Sequence, residues 1–447
     1  MIKSGLSANL SRLLATAPLA ALPSPAIEAA KRAFIDTAGV VLAGRLEPAV
    51  SIMQGCLPTG SEARALFGTQ HLSSKDAALL NGVAGHVLDY DDVTLHGHPS
   101  VVLIPAILAE AERLDASGID ALRAYVMGFE VWAELGSREP DAYHLRSWHP
   151  TAMLGTIAAA GAVACLNGLD ETLIQHSLAI AASLASGIIA NFGSYMKSIQ
   201  VGRAAANGIE AVHLAKAGVN GAADALDSPH GLLHGISPRN LVDTQTPVRP
   251  PQLPSRLTEW GLSVKRYPVC YASHRAIDGV IDLVSEAGLS ADGIKSVSVG
   301  LGVAPAQTLK FSQPRTGLEA KFSLHHNVAA ALLDRHVGFA QLTDDYVRRP
   351  EVMRLFDKTT MHVLNDESRE QPGMASADWV TIETVDGRLL NSGAIRYARG
   401  HAKLPLTNAA LDEKFLDCAQ HGRVDGAELL GKLRRLETLP KIRELTL

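Results

Sequence analysis

The sequence predicts a mostly α-helical protein. It has a large all-helical domain, a smaller α+β domain after it, and a C-terminal tail that returns to the helical domain. Three observations carry this. The 447 residues are 47% apolar yet only 5% aromatic, so Ala, Leu, Val and Ile must build cores of closely packed helices. Two apolar stretches, Thr151 to Leu169 (free of charge) and Leu178 to Met196, suit a buried helical pair. Beyond a proline-rich polar segment at 236–256 the periodicity turns from helical to alternating. A chain this long exceeds a single core, and these breaks divide it as 1–249, 250–398 and 399–447.

The elements follow in order. Leu6, Leu10, Leu13 and Leu14 share one helical face ended by Pro18, and Arg12 interrupts the run, which favours a docked helix over a signal peptide. Ser24-Pro25 reads as an N-cap with Pro at the first helical position of a helix stopped by Gly44. Residues 74–88 form a helix that delivers a cluster of titratable groups at its end. His98-Pro99 and His149-Pro150 each set an imidazole before a proline that opens a helix, where unpaired N–H groups favour anions. The apolar pair is dominated by Ala, Gly and Ser and lacks basic flanks, so it is read as buried in protein, not membrane-spanning. Lys197 follows it, with its charge expected to point into a cleft. In the second domain 294–302 and 379–385 alternate as half-buried strands, and Asp386-Gly387 supplies a type I′ turn. Helices at about 316–337 and 342–364 lie between, and helical patterning resumes from Asn408.

Composition excludes several functions. A net charge of −5 leaves no basic field for nucleic acid or an anionic membrane. Cys56, Cys165, Cys270 and Cys418 lie far apart, which gives neither zinc-finger nor iron–sulfur spacing and fits a reducing cytoplasm. Cys270 is read as a packing residue. GLGVAP near Gly300 is too short and wrongly placed for a dinucleotide loop.

The chemistry concentrates in Asn81 to Ser100, NGVAGHVLDYDDVTLHGHPS, which holds His86, His96, His98, Asp89, Asp91 and Asp92. Clustered acid/base groups mark functional sites, although a solvated acidic turn has the same composition. A metal-dependent hydrolase built on His86, Asp89, Asp92, His96 and His98 is one alternative, and a non-catalytic binding protein is another.

Taken with WHPTAMLGTIAAAGAV, YMKSIQVGRAAANGIEA, KRYPVCYASHRAID, RTGLEAKFSL and ARGHAKLPLTNAALDEKF, this stretch resembles the MmgE/PrpD family over nearly the whole length. The family contains 2-methylcitrate dehydratase, cis-aconitate decarboxylase and iminodisuccinate epimerase. The resemblance implies a helical domain with an α+β lid domain inserted before the tail, a homodimer, and no metal or organic cofactor. It places Asp89, Thr94, His98, His149, Lys197, Lys265 and His274 in the polar site, with Arg315 and His326 as substrate contacts. The family commonly has Tyr at the position of His326, a departure that bears on substrate identity.

Such a site handles small anions with two or three carboxylates. Moving a proton at the carbon beside a carboxylate needs a base tuned near neutral pH and fixed positive charge. His98 is the expected main acid/base, with Asp89 holding its ring or binding substrate. Lys197 and Lys265 are expected to pair with carboxylates, His149 and His274 to donate hydrogen bonds or shuttle protons. The function expected is a cytoplasmic, cofactor-independent lyase, a dehydratase or decarboxylase, with epimerisation the alternative outcome.

Overall fold

Two sets of helices and strands, each with its own core, account for the chain in the computed structural model, which describes residues 5–17, 22–249, 255–366, 368 and 374–447. The units are Met1–Ser263 with Thr407–Leu447, and Val264–Leu406.

The first unit opens with α1 (Leu6–Thr16), whose Leu6, Leu10, Leu13 and Leu14 are buried as their spacing predicts; Pro18 lies outside the described residues. Then come α2 (Ser24–Gly44), α3 (Pro48–Cys56), a hairpin of β1 (Ala63–Arg64) and β2 (His71–Leu72), α4 (Ser74–His86), α5 (Ser100–Leu114) and α6 (Gly118–Gly136). Next are α7 (Pro150–Leu166), α8 (Glu171–Leu184), α9 (Met196–Lys216) and the short α10 (Leu232–Ile236) and α11 (Arg256–Trp260). Helix α9 packs against α4, α7 and α8, so α7 is enclosed over almost its whole length.

Three local expectations shift. Ser24 lies inside α2, which is capped from Pro23, and makes no capping bond. Helix α5 starts at Ser100 with Pro99 in the capping position, and it continues through Pro105. Leu178 to Met196 is not one helix. Helix α8 ends at Leu184, and a loop with a single 3-10 turn (Ile189–Asn191) follows, leaving Ile188, Phe192 and Tyr195 exposed. Ala185 after α8 is extended (ψ 124°), and Gly187 (φ 148°) and Gly193 (φ 91°) take backbone conformations that keep the following loop out of a continuous helix.

The second unit holds α12 (His274–Glu286), β3 (Ile294–Gly302), α13 (Val303–Thr308), α14 (Gly317–Ala320), α15 (Leu324–Asp334), α16 (Asp344–Val347), α17 (Pro350–Phe356), β4 (Thr359–Leu364), β5 (Trp379–Thr384) and β6 (Leu389–Asn391). The sheet order is β4-β3-β5-β6, with β4 parallel to β3 and the other pairs antiparallel. Its core joins Ile277, Val280 and Val284 of α12 and Val328 and Leu332 of α15 to Val297, Val299, Leu301, Val380 and Ile382 of the sheet. The expected helix at 342–364 is instead two short helices and a strand, because Thr359–Leu364 pairs along β3. That pairing is long-range and leaves no local signal. The Asp386-Gly387 turn is not type I′. Only Gly387 has positive φ, and the Gly387 N–H donates to the Thr384 carbonyl in a three-residue loop. Part of the expected 236–256 linker, 250–254, lies outside the described residues.

The chain ends with α18 (Asn408–His421), packed on α2 of the first unit, and α19 (Ala427–Arg434). Among the described residues no helix is long and apolar enough to cross a membrane.

Candidate functional site

Helix α4 begins where the Ser73 hydroxyl accepts the Asp76 N–H, and it ends at His86. A tight loop follows. Asp89 takes a left-handed conformation (φ 54°), and Leu95 and His96 do so consecutively (φ 43° and 74°) inside a turn closed by Thr94 and Gly97. Such backbone is held only where its surroundings impose it, typically at functional sites. Gly97 presses on α7: a Cβ there would lie 2.7 Å from the Thr151 hydroxyl. The next residue, His98, donates its N–H to that same oxygen at 3.3 Å.

The loop gathers its charges around one carboxylate. Asp91 Oδ2 lies 2.9 Å from His86 Nδ1 and 3.0 Å from His98 Nδ1, and the two rings meet edge to face at 4.8 Å. Burial raises the proton affinity of Asp91, but the two imidazoles outweigh it and hold the carboxyl well below its usual range. Burial brings His86 down to about 4 despite Asp91, so it is neutral near pH 7. Its contact with Asp91 is therefore a hydrogen bond from a neutral ring to an anion, not a pair of full charges.

Asp89 faces elsewhere. Its Oδ1 accepts from Lys197 Nζ at 2.5 Å, with both side chains largely but not wholly buried. Lys197 stands in the first turn of α9, and the reach depends on how closely α9 approaches α4. A Cβ at Gly82 would meet Gly202 Cα at 2.7 Å. Phe192, from the loop before α9, lies 5.6 Å from Lys197 Nζ and edge-on to His149 at 4.9 Å.

His149 caps α7 as the His-Pro pair predicts, with Pro150 at the first helical position. Its Nδ1 lies 2.9 Å from Gln200 Oε1, while Gln200 Nε2 donates to the Ile188 carbonyl. That fixes the amide, so Nδ1 is the protonated nitrogen of His149 and Nε2 an acceptor. Burial, then the charges of His86 and Lys197, push His149 down to about 2. Nε2 of His149 is thus an acceptor, where the sequence suggested a hydrogen-bond donor or a proton shuttle.

The other loop residues are structural. His96 Nε2 lies 3.1 Å from the Gly136 carbonyl, and its ring packs on Tyr143. Asp92 is enclosed with Ser100, whose hydroxyl also meets Tyr125 at 2.7 Å. Burial and the neighbouring Asp36 raise Asp92 to about 8. The five-residue metal set considered from sequence is therefore not assembled. The trio that is, His86, Asp91 and His98, has donor atoms within 4.8 Å of one another. Within it His86 Nδ1 is hydrogen-bonded to Asp91, while His98 Nδ1 lies 3.0 Å from the same carboxylate without hydrogen-bond alignment.

The first unit thus brings together Asp89, His98, His149 and Lys197, with Thr94 on the same loop. Lys265, His274, Arg315 and His326 belong to the second unit. There Lys265 and His274 are buried, with His274 at the start of α12 between the rings of Tyr267 and Tyr271 at 5.1 and 5.0 Å. Arg315 is exposed, and its N–H donates to Glu319 at 2.6 Å. His326 is fully enclosed between Tyr346 and Phe356, and Nε2 lies 2.9 Å from the Gln341 carbonyl. Burial lowers it to about 4.

Comparison with known proteins then decides the family. The MmgE/PrpD N-terminal domain model matches residues 8–245 and the MmgE/PrpD C-terminal domain model matches 267–429. The chain belongs to the MmgE/PrpD family. Among curated MmgE/PrpD relatives, the human cis-aconitate decarboxylase is 29% identical over 411 residues, 87% of this chain and 82% of its own length. The mouse cis-aconitate decarboxylase is 30% identical over 76% of this chain and 70% of its own. That of Aspergillus terreus is 27% identical over 86% and 84%. This MmgE/PrpD chain is accordingly an enzyme of the dehydratase or decarboxylase type.

Sequence reasoning missed the carboxylate that faces His98. It gave Asp89 the task of holding the ring or binding substrate, whereas the ring meets Asp91 and Asp89 pairs with Lys197. It gave His86 a role only in the alternative metal set, and gave Gln200 and Phe192 none. Their only sequence signal was membership of the dense His/Asp stretch or proximity to Lys197.

Proposed function

We propose that this enzyme decarboxylates a small tricarboxylic acid of the cis-aconitate type, with His98 as the proton donor to carbon. The observation that carries the reading is His98, with Nδ1 3.0 Å from Asp91 Oδ2, on the same short loop as Asp89, which pairs with Lys197. The ionised Asp91 carboxylate 3.0 Å from Nδ1 favours a proton there by charge, although the contact is not aligned as a hydrogen bond, and Nε2 is then the working nitrogen, protonated in the charged ring. Loss of CO2 breaks the bond between the carboxylate carbon and its neighbour and leaves the electron pair on the remaining framework. The proton from His98 fills that valence and solvent replaces it, so each turnover takes up one proton. Lys197 exchanges its partner Asp89 for a substrate carboxylate and holds negative charge where it develops. Neutral His149 accepts from a substrate hydroxyl or carboxylic acid. The relatives named cis-aconitate decarboxylase favour CO2 loss over the alternatives. The reading includes no metal or organic cofactor, as the family resemblance implies.

The test is a panel of aconitate-, methylcitrate- and iminodisuccinate-type acids in D2O followed by NMR, with proton uptake measured in a pH-stat. The expected result is CO2 release from the aconitate-type acid, one deuterium on the product carbon and one proton consumed per turnover. Water loss or deuterium exchange without CO2 release overturns decarboxylation in favour of dehydration or epimerisation. A His98→Gln enzyme with full turnover removes His98 from the chemistry.

A further inference from the structure

We propose that His86 is a positioning residue that governs how firmly His98 holds its proton, by sharing the carboxylate of Asp91 with it. The argument is geometric. One oxygen, Asp91 Oδ2, faces Nδ1 of both rings at 2.9 and 3.0 Å, and Asp91 is 1% exposed. The ionised carboxylate takes a hydrogen bond from His86 Nδ1 and draws a proton to His98 Nδ1 by charge, across a contact that is not aligned as a hydrogen bond. Nε2 of neutral His86 is then bare, while Nε2 of His98 carries the transferable proton when that ring is charged. There the two rings diverge. The His98 side chain is 15% exposed, and its Nε2 serves the reaction. The His86 side chain is fully enclosed, and its Nε2 has no hydrogen-bond partner among the described residues. A buried acceptor left unmatched costs about 1–3 kcal/mol. A residue that merely filled space there would be apolar. What His86 supplies is its N–H, a second donor that draws off part of the Asp91 charge that would otherwise fall on His98.

The remaining groups around the pair are fixed and do not duplicate this role. His149 at the start of α7 and His144 in the 3-10 turn at 143–146 are both lowered by burial, to about 2 and about 4, so they bring no charge near pH 7. Lys197 at the start of α9 is neutralised by Asp89. Behind Asp91, Asp92 is raised to about 8 by burial and Asp36, and Asp36 of α2 meets Lys414 of α18 at 2.6 Å. Asp91 is therefore the anion the two rings divide, and removing either partner must move His98 in opposite directions.

The proposal rests on His98 as the proton-transfer residue, and its test does not need turnover. Histidine-labelled protein is titrated by NMR, with the His98 signals assigned by their loss in His98→Gln. His86→Leu, close in volume but without a donor, is expected to raise the His98 midpoint by about half to one pH unit, and Asp91→Asn to lower it by about one to two. His86→Gln, whose amide can still donate to Asp91, is expected to return it most of the way. The activity–pH profile shifts the same way, whichever limb His98 controls. A folded His86→Leu protein with an unmoved or lowered midpoint overturns the proposal. So does a His86→Gln protein that behaves as His86→Leu. A loss of activity in His98→Gln with those outcomes leaves the proposed reaction standing, whereas full turnover of His98→Gln sinks the reaction and leaves the titration to decide the role of His86.

Discussion

Replacing Lys197 by Met removes one ammonium and keeps most of the stem. In the resting enzyme that ammonium sits 2.5 Å from Asp89 Oδ1, with side chains 20% and 16% exposed. In the proposed complex it faces a substrate carboxylate instead. At about 4 Å and an effective dielectric near 20, a unit pair is worth about 4 kcal/mol. Partial exposure and screening bring that to roughly 2–4 kcal/mol. At 1.36 kcal/mol per factor of ten, kcat/KM should fall about 30- to 1000-fold. Steady-state kinetics at low and high salt are the assay, and the wild-type advantage should shrink as salt rises. A second variant separates two explanations. If Lys197 serves only to neutralise Asp89, then Lys197→Met with Asp89→Asn recovers activity; if it binds substrate charge, the double variant stays impaired. Recovery in the double variant, or a single variant within threefold of wild type, refutes the reasoning.

Two further outcomes follow from the same loop. Gly97→Ala should lower the denaturant midpoint by the equivalent of about 1–3 kcal/mol, since its methyl would sit 2.7 Å from the Thr151 hydroxyl. Thr151→Ala in the same chain should restore much of that loss, and no recovery would mean that the clash lies elsewhere. Asp92 gives a pH signature: its folded value of about 8 lies above the unfolded carboxyl's value of about 3.9. Between those two the folded state binds the extra proton, so Asp92 makes stability fall as pH rises from about 4 to 8. Melting curves of Asp92→Asn should therefore show a flatter decline across that window than wild type, and an unchanged slope would place the dependence on other groups.

The site was partly legible before the fold was known. Its address was plain, because three imidazoles and three carboxylates in twenty residues is a local property of the chain. The pairing within it was not. Asp89, Asp91 and Asp92 are near neighbours in an aperiodic loop, and left-handed backbone at Asp89, Leu95 and His96 decides which way each points. Asp91 therefore meets His98, Asp89 meets Lys197 and Asp92 meets Ser100. His326 was read as a substrate contact, yet it lies enclosed between Tyr346 and Phe356. Nothing in KFSLHHNVA separates an enclosed histidine from an accessible one.

By itself the sequence determined what local chemistry dictates: the leucine face of α1, the Pro-opened α7 with His149 at its cap, the alternation of β3 and β5, and the mostly helical class. The tertiary structure alone decided what depends on distant partners. It ended α8 at Leu184, where Ala185 turns extended, made Thr359–Leu364 a strand by pairing it with β3, and brought α9 close enough to α4 for Lys197 to reach Asp89 across 108 residues. Spacing along the chain fixes which face a side chain shares with its near neighbours. Only packing fixes what that face meets, and the groups proposed to react, Asp89, His98, His149 and Lys197, meet from three separate segments.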